Sequence, residues 1–144
     1  MSSIVLGINT SIKKGVVKKP VPFIECKINH GIVGDAHAGD WHRQISLLAI
    51  ESYHKMEALG LKLKQGAFAE NITTKGIVLF ELPIGQILEI GEVVLEVTQI
   101  GKECHSGCAI SQQVGDCVMP KEGIFTKVIK EGIIRENDQI KLVS

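Results

Sequence analysis

The sequence is poor in aromatic residues, has no surplus of either charge and contains no long apolar run, and each absence removes a class of function. Aromatics make up 4% of the 144 residues, too few for the stacking platform that single-stranded nucleic acid requires. Lys+Arg and Asp+Glu are both 16, so the formal net charge is zero and no global field draws the chain onto nucleic acid or an anionic membrane. No apolar stretch approaches the roughly 20 residues a helix needs to cross a bilayer. The first residues lack the basic start of an export signal, and Ser2 to Asn9 reads as a strand instead. The expectation is a cytoplasmic protein with no nucleic-acid and no membrane partner.

Cysteine is also scarce, with Cys26, Cys104, Cys108 and Cys117 alone. In a reducing compartment these thiols stay free, so those in polar surroundings become candidates for chemistry or metal ligation. Hydrophobic residues make up 44%, and the length suits one core, so residues 1–144 are expected to form a single domain. With few aromatics that core must be built from Ile, Val and Leu, which favours strands.

The periodicities agree. Ile4, Leu6 and Ile8 alternate with their neighbours as in a strand, and Pro20 and Pro22 exclude a helix from Val16 to Ile28 and suit an edge or bent strand. Ile45 to Leu48 reads as a short buried strand. Ala49, Tyr53 and Met56 then mark one face of a helix over Ala49 to Leu59, with Glu51 near its positive end and Gly60 as its C-cap. Strand patterns return at Glu70 to Thr74, Ile87 to Ile90, Val93 to Ile100, Ile124 to Ile129 and Gln139 to Val143, punctuated by glycines. Segments beginning at Gly85 and Gly132 resemble each other faintly, as the turns of a twisted barrel would.

Three segments have the composition of a site. Lys102 to Gly115 holds Cys104, His105 and Cys108; a thiol must be ionised to attack or to bind a soft metal, and Lys102 and His105 would raise the ionised fraction of Cys104. Cys104, Cys108 and Cys117 with a histidine could also form a zinc site, although one C-x3-C and an outlier are poor spacing for it. Cys26, in a strand pattern, reads as a small apolar filler. Asn29 to His42 reads as a loop placing polar groups, with Asp35 and His37 two apart, so that in an extended stretch the carboxylate could orient the imidazole; the alternative is an Asp that caps a turn. Arg43 adds a fork suited to phosphate or carboxylate. Asn71 and Thr73 alternate with Ile72 and could present an amide and a hydroxyl from one strand face, or simply form a turn.

In order, G-D-x-H-A-G-x-x-H-R-Q-I-S-L-L from Gly34, F-A-E-N-I-T-T-x-G-I from Phe68, L-P-I-G-x-x-L-x-I-G from Leu82 and a strand followed by Cys104 resemble the MOSC domain, named after the C-terminal part of molybdenum cofactor sulfurases. The likeness runs from about Gly31 to the C-terminus and is to the short, stand-alone bacterial type. It implies a mainly β, barrel-like fold of the pyruvate kinase β-barrel kind with one or two short helices. It also implies a role tied to the molybdenum cofactor or to sulfur transfer.

By that resemblance Cys104 is the thiol that ligates molybdenum or carries sulfur as a persulfide, and Asp35, His37, Arg43, Asn71, Thr73 and Lys102 line the same cleft, with Arg43 and Lys102 facing the pterin phosphate. Many members place Arg or Pro just before the cysteine, whereas this chain has Lys102-Glu103. The first reading is a molybdenum-cofactor-binding protein that reduces small N-hydroxylated substrates with electrons from a separate donor protein. The alternative is a sulfur carrier loaded on Cys104 by a cysteine desulfurase, with pyridoxal phosphate held only by that partner. The third is a small zinc-binding or structural module.

Overall fold

A computed structural model describes residues 3–12, 18–58, 70–101 and 122–143. Lys102, Cys104, Cys108, Cys117 and Gly60 lie outside the described residues. The described chain runs β1 (Ser3–Thr10), β2 (Lys19–Val21), β3 (Phe23–Lys27), β4 (Gly31–Ile32), β5 (Ile45–Ala49), α1 (Ile50–Glu57), β6 (Ile72–Lys75), β7 (Ile87–Ile90), β8 (Val93–Ile100), β9 (Ile124–Lys130), β10 (Gly132–Arg135) and β11 (Gln139–Val143).

Seven strands close into a barrel in the order β1-β11-β7-β8-β9-β5-β6, with β6 returning to β1. Closure removes the unpaired edges that would otherwise invite association, and β2 is added to the ring only through β1. Pro20, which cannot donate to a ladder, sits on that outlying strand opposite Asn9. A second sheet of β10, β3 and β4 packs beside the barrel. The barrel is mainly antiparallel; β5 and β6 pair in parallel, which requires a crossover, and α1 opens it.

The interior is aliphatic, as the composition requires. Leu88 and Ile90, then Val93, Leu95 and Val97, then Ile45 and Leu47 are fully buried at alternate positions of their strands. Cys26 lies in this core as the filler expected, and burial, then the charge of Glu25, pushes its thiol up to about 12, so it stays protonated and inert. Gly91, at φ +58°, makes the tight link between β7 and β8, where a Cβ would lie 2.6 Å from an Asp138 carboxylate oxygen.

Four local expectations differ from the structure. The helix is Ile50–Glu57, because Ala49 stays in β5 opposite Thr74. The histidine loop contains β4, paired with Cys26 and Lys27. Gly31 makes this possible, at φ +103° and so close to Gln44 that a Cβ would meet the Gln44 Cβ at 2.9 Å. The sixth strand starts at Ile72, leaving Glu70 and Asn71 in the approach to it. Finally, the segment after Gly132 is β10 of the small sheet, whereas the segment after Gly85 enters the barrel, so the likeness between them does not reflect one repeated barrel turn.

Candidate active site

Those of the residues singled out from the sequence that are described, Asp35, His37, Arg43, Asn71 and Thr73, fall into three groups. The first is built on Asp35, which lies in a turn and not in an extended stretch, its N–H donating to Ile32 O and its carbonyl accepting from Ala38. One carboxylate oxygen accepts the N–H of His37 at 3.0 Å, the local closure by which Asp shapes a turn. The other accepts from the Ser11 N–H at 3.1 Å and from the Lys18 ammonium at 2.8 Å. Lys18 and Asp35 both have side chains with no exposure. Burial pushes the Asp35 carboxyl up, but the hydrogen bonds from His37 and Lys18 and the Lys18 charge outweigh it and hold the group well below the usual carboxylate range.

The imidazole of His37 therefore has a different partner from the one its spacing suggests. Its Nδ1 is 3.7 Å from Asp35, beyond hydrogen-bond range, but 3.0 Å from the Lys18 Nζ. Lys18 has three protons and three acceptors, Asp35, Ser11 Oγ at 3.2 Å and His37 Nδ1. With Nδ1 accepting, the remaining ring proton sits on Nε2, on a side chain still about a quarter exposed (26%). Sequence reasoning missed Lys18 altogether.

The second group covers the outer face of β5, β6 and β1. Asn71 Oδ1 accepts from both the N–H and the hydroxyl of Ser46, at 3.0 and 3.2 Å, while its Nδ2 donates to Asn9 O at 3.2 Å. The main chain repeats the link, Asn71 N–H donating to Ser46 and Asn9 N–H to Asn71 O. The Thr73 hydroxyl donates to Glu70 Oε2 at 2.7 Å, and Tyr53 of α1 donates to the same oxygen at 2.5 Å. All of these side chains are buried, with Asn71, Thr73, Asn9 and Glu70 at zero exposure. Asn71 and Thr73 thus fasten three strands and a helix together. Among the described residues, the buried Asn9 Oδ1 and Thr74 Oγ1 have no hydrogen-bond partner.

The third group surrounds Arg43, half-buried at the entrance to β5. Its Nε donates to Gln99 Oε1 at 3.0 Å, and its guanidinium lies 5.1 Å above the ring of Phe125. His42 Nε2 meets the same Gln99 oxygen at 3.0 Å, and Gln99 Nε2 donates to Gly101 O at 2.7 Å. No carboxylate pairs with Arg43 among the described residues. A cavity of about 340 Å³ adjoins this group, with Asp40, Trp41, His42, Gln44, Thr98 and Lys127 among its walls. No group of three or more potential metal ligands is found among the described residues.

No helix among the described residues is long and apolar enough to cross a membrane. Comparison with known proteins points in one direction. The MOSC domain profile matches residues 34–141. The fold is similar to the YuaD protein from Bacillus subtilis, at a TM-score of 0.81 and 18% identity over 97% of this chain and 94% of that one. It is similar to YiiM from Geobacillus stearothermophilus, at 0.74 and 24% over 99% and 75%. YiiM from Escherichia coli gives 0.69 and 21% over 100% and 70%. No curated protein matches the sequence.

Proposed function

Because the chain belongs to the MOSC domain family, we propose that it binds the molybdenum cofactor through the face carrying Arg43, with Cys104 as the thiolate ligand to the metal. The observation that carries this reading is the state of Arg43, a half-buried, oriented cation held by an amide and by no described carboxylate, ready for a phosphate. When bound, the cofactor supplies a soft metal centre able to exchange oxygen and electrons.

The chain's own residues then have distinct tasks. Arg43 and Lys102 attract and orient the anionic end. Cys104, three residues after Gly101 in the sequence, is the proposed thiolate. His37 offers its Nε2–H as a donor while Lys18 holds the opposite nitrogen. Asp35 fixes Lys18 in turn. Asn71 and Thr73 keep β5, β6 and β1 in register beneath the face. Small N-hydroxylated compounds are the proposed substrates, reduced with electrons from a separate protein.

The test is metal and pterin analysis of the gently purified protein from a host that makes the cofactor. The expected result is near-stoichiometric molybdenum with pterin fluorescence after oxidation. Neither signal, together with extra sulfur on Cys104 after incubation with a cysteine desulfurase and cysteine, replaces this reading with sulfur carriage.

A further inference from the structure

Strand β8 breaks its own rule. Val93, Leu95 and Val97 point inward at alternate positions, so continued alternation would drive Gln99 into the aliphatic core and Ile100 out of it. The pairing with β9 instead slips by one residue: Val97 lies opposite Thr126, Gln99 opposite Phe125 and Ile100 opposite Ile124, with Thr98 as the extra residue. The Thr98 hydroxyl pins the bulge by donating within reach of His42 O and Phe125 O. Ile100 consequently packs against the core, and Gln99 shares the outer side with Phe125 and Arg43.

Three features converge on that re-aimed amide. Its oxygen accepts from both Arg43 Nε and His42 Nε2, and its nitrogen is tied to Gly101 O, so the side chain cannot swing away. The Arg43 guanidinium is fixed by one edge and by the Phe125 ring, leaving its two terminal nitrogens without a partner among the described residues. The acceptor that fixes it is neutral. A carboxylate in the same place would hold Arg43 more tightly but would also cancel its charge.

We infer that Gln99 is the positioning residue of an anion site, re-aimed by the Thr98 bulge so that it orients the Arg43 fork while leaving its charge for a phosphate group. The inference rests on the proposed function only in taking that phosphate to be carried by the cofactor; the site itself takes any tetrahedral oxyanion of that size.

Inorganic phosphate is the probe, titrated into the full chain while the Arg43 Nε–H resonance is followed by NMR, with melting temperatures measured alongside. Wild type gives a saturable shift of that resonance. Gln99→Glu, nearly isosteric and still an acceptor for Arg43 and His42, weakens phosphate binding on the order of tenfold or more with the fold retained. Gln99→Met, which carries no charge, releases Arg43 Nε and weakens binding by less, and it stands in if the Glu variant does not fold.

Wild-type phosphate affinity in Gln99→Glu, or an Arg43 signal that phosphate leaves unmoved, overturns the inference. Molybdenum content measured on the same preparations separates the two ideas. Molybdenum in wild type with phosphate binding indifferent to position 99 sinks this site and leaves the function. Phosphate binding that depends on Gln99 in a protein free of molybdenum does the reverse.

Discussion

Asn71 and Arg43 sit on neighbouring parts of the same barrel wall, yet the protein treats them in opposite ways. The Asn71 amide is wholly buried and occupied by Ser46 and Asn9, whereas the Arg43 guanidinium is half-buried, aimed by a neutral amide and left with its charge uncompensated by any described carboxylate. The Asp35 cluster lies between these extremes. Its ion pair with Lys18 is closed and dry, but it supports an imidazole that still reaches solvent. Polar residues of one sequence signature thus divide into those whose bonding groups are spent inside the wall and those left with a free donor or charge. Burial and partner count separate them where residue type does not.

The sharpest way to break this division is to remove the most deeply enclosed charge. Asp35→Ala leaves the Lys18 ammonium buried without its counter-ion, and the expected loss is about 3–5 kcal/mol in chemical denaturation. A loss no larger than that of a surface substitution would show that Asp35 is not enclosed as described.

The same carboxyl gives a pH signature. Its folded value is depressed below the unfolded one of about 3.9, so its contribution is fully present above that value and is lost as the pH falls through it toward the folded value. Denaturation followed from pH 7 downward should show an acid limb that is strongly reduced in Asp35→Asn.

Next in size is Asn71→Ala, which deprives the Ser46 N–H and hydroxyl of an acceptor, and about 1–3 kcal/mol should be lost. Arg43→Gln closes the series. It should change stability by no more than about 1 kcal/mol, the range of a cation on an aromatic face, while abolishing the phosphate response. If Arg43→Gln cost more stability than Asn71→Ala, the contrast between brace and binder would be reversed.

The barrel was largely legible in the sequence, since alternation of Ile, Val and Leu marks β1, β5, β7, β8, β9 and β11 within a residue or two. That the chain closes on itself through β1 and β11 was not, because register between the two ends of a chain leaves no local pattern. The histidine loop was recognised as a place where side chains are set, but its logic was hidden. Lys18 is one of four lysines within seven positions, and nothing nearby says which of them lies beneath an aspartate 17 residues on. For Asn71 and Thr73 alternation left a ligand-facing role or a turn open, and only the family resemblance put them in the cleft; alternation does not say that Tyr53 of α1 shares the Glu70 carboxylate with Thr73. Gln99 did leave a signal. A glutamine at the next inward position of Val93, Leu95 and Val97, followed by Ile100, announces a slip of the alternation, and the bulge at Thr98 is its physical form.

Cys104 is the residue on which the proposed chemistry depends, and it can be questioned directly. Wild type and Cys104→Ser, produced side by side in a cofactor-making host and confirmed folded, are compared for molybdenum per chain. Near-stoichiometric metal is expected in wild type and a small residue of it in the serine variant, with the pterin phosphate still able to compete with inorganic phosphate at Arg43. Equal molybdenum in both proteins would contradict ligation by this thiol, and none in either would contradict the cofactor itself.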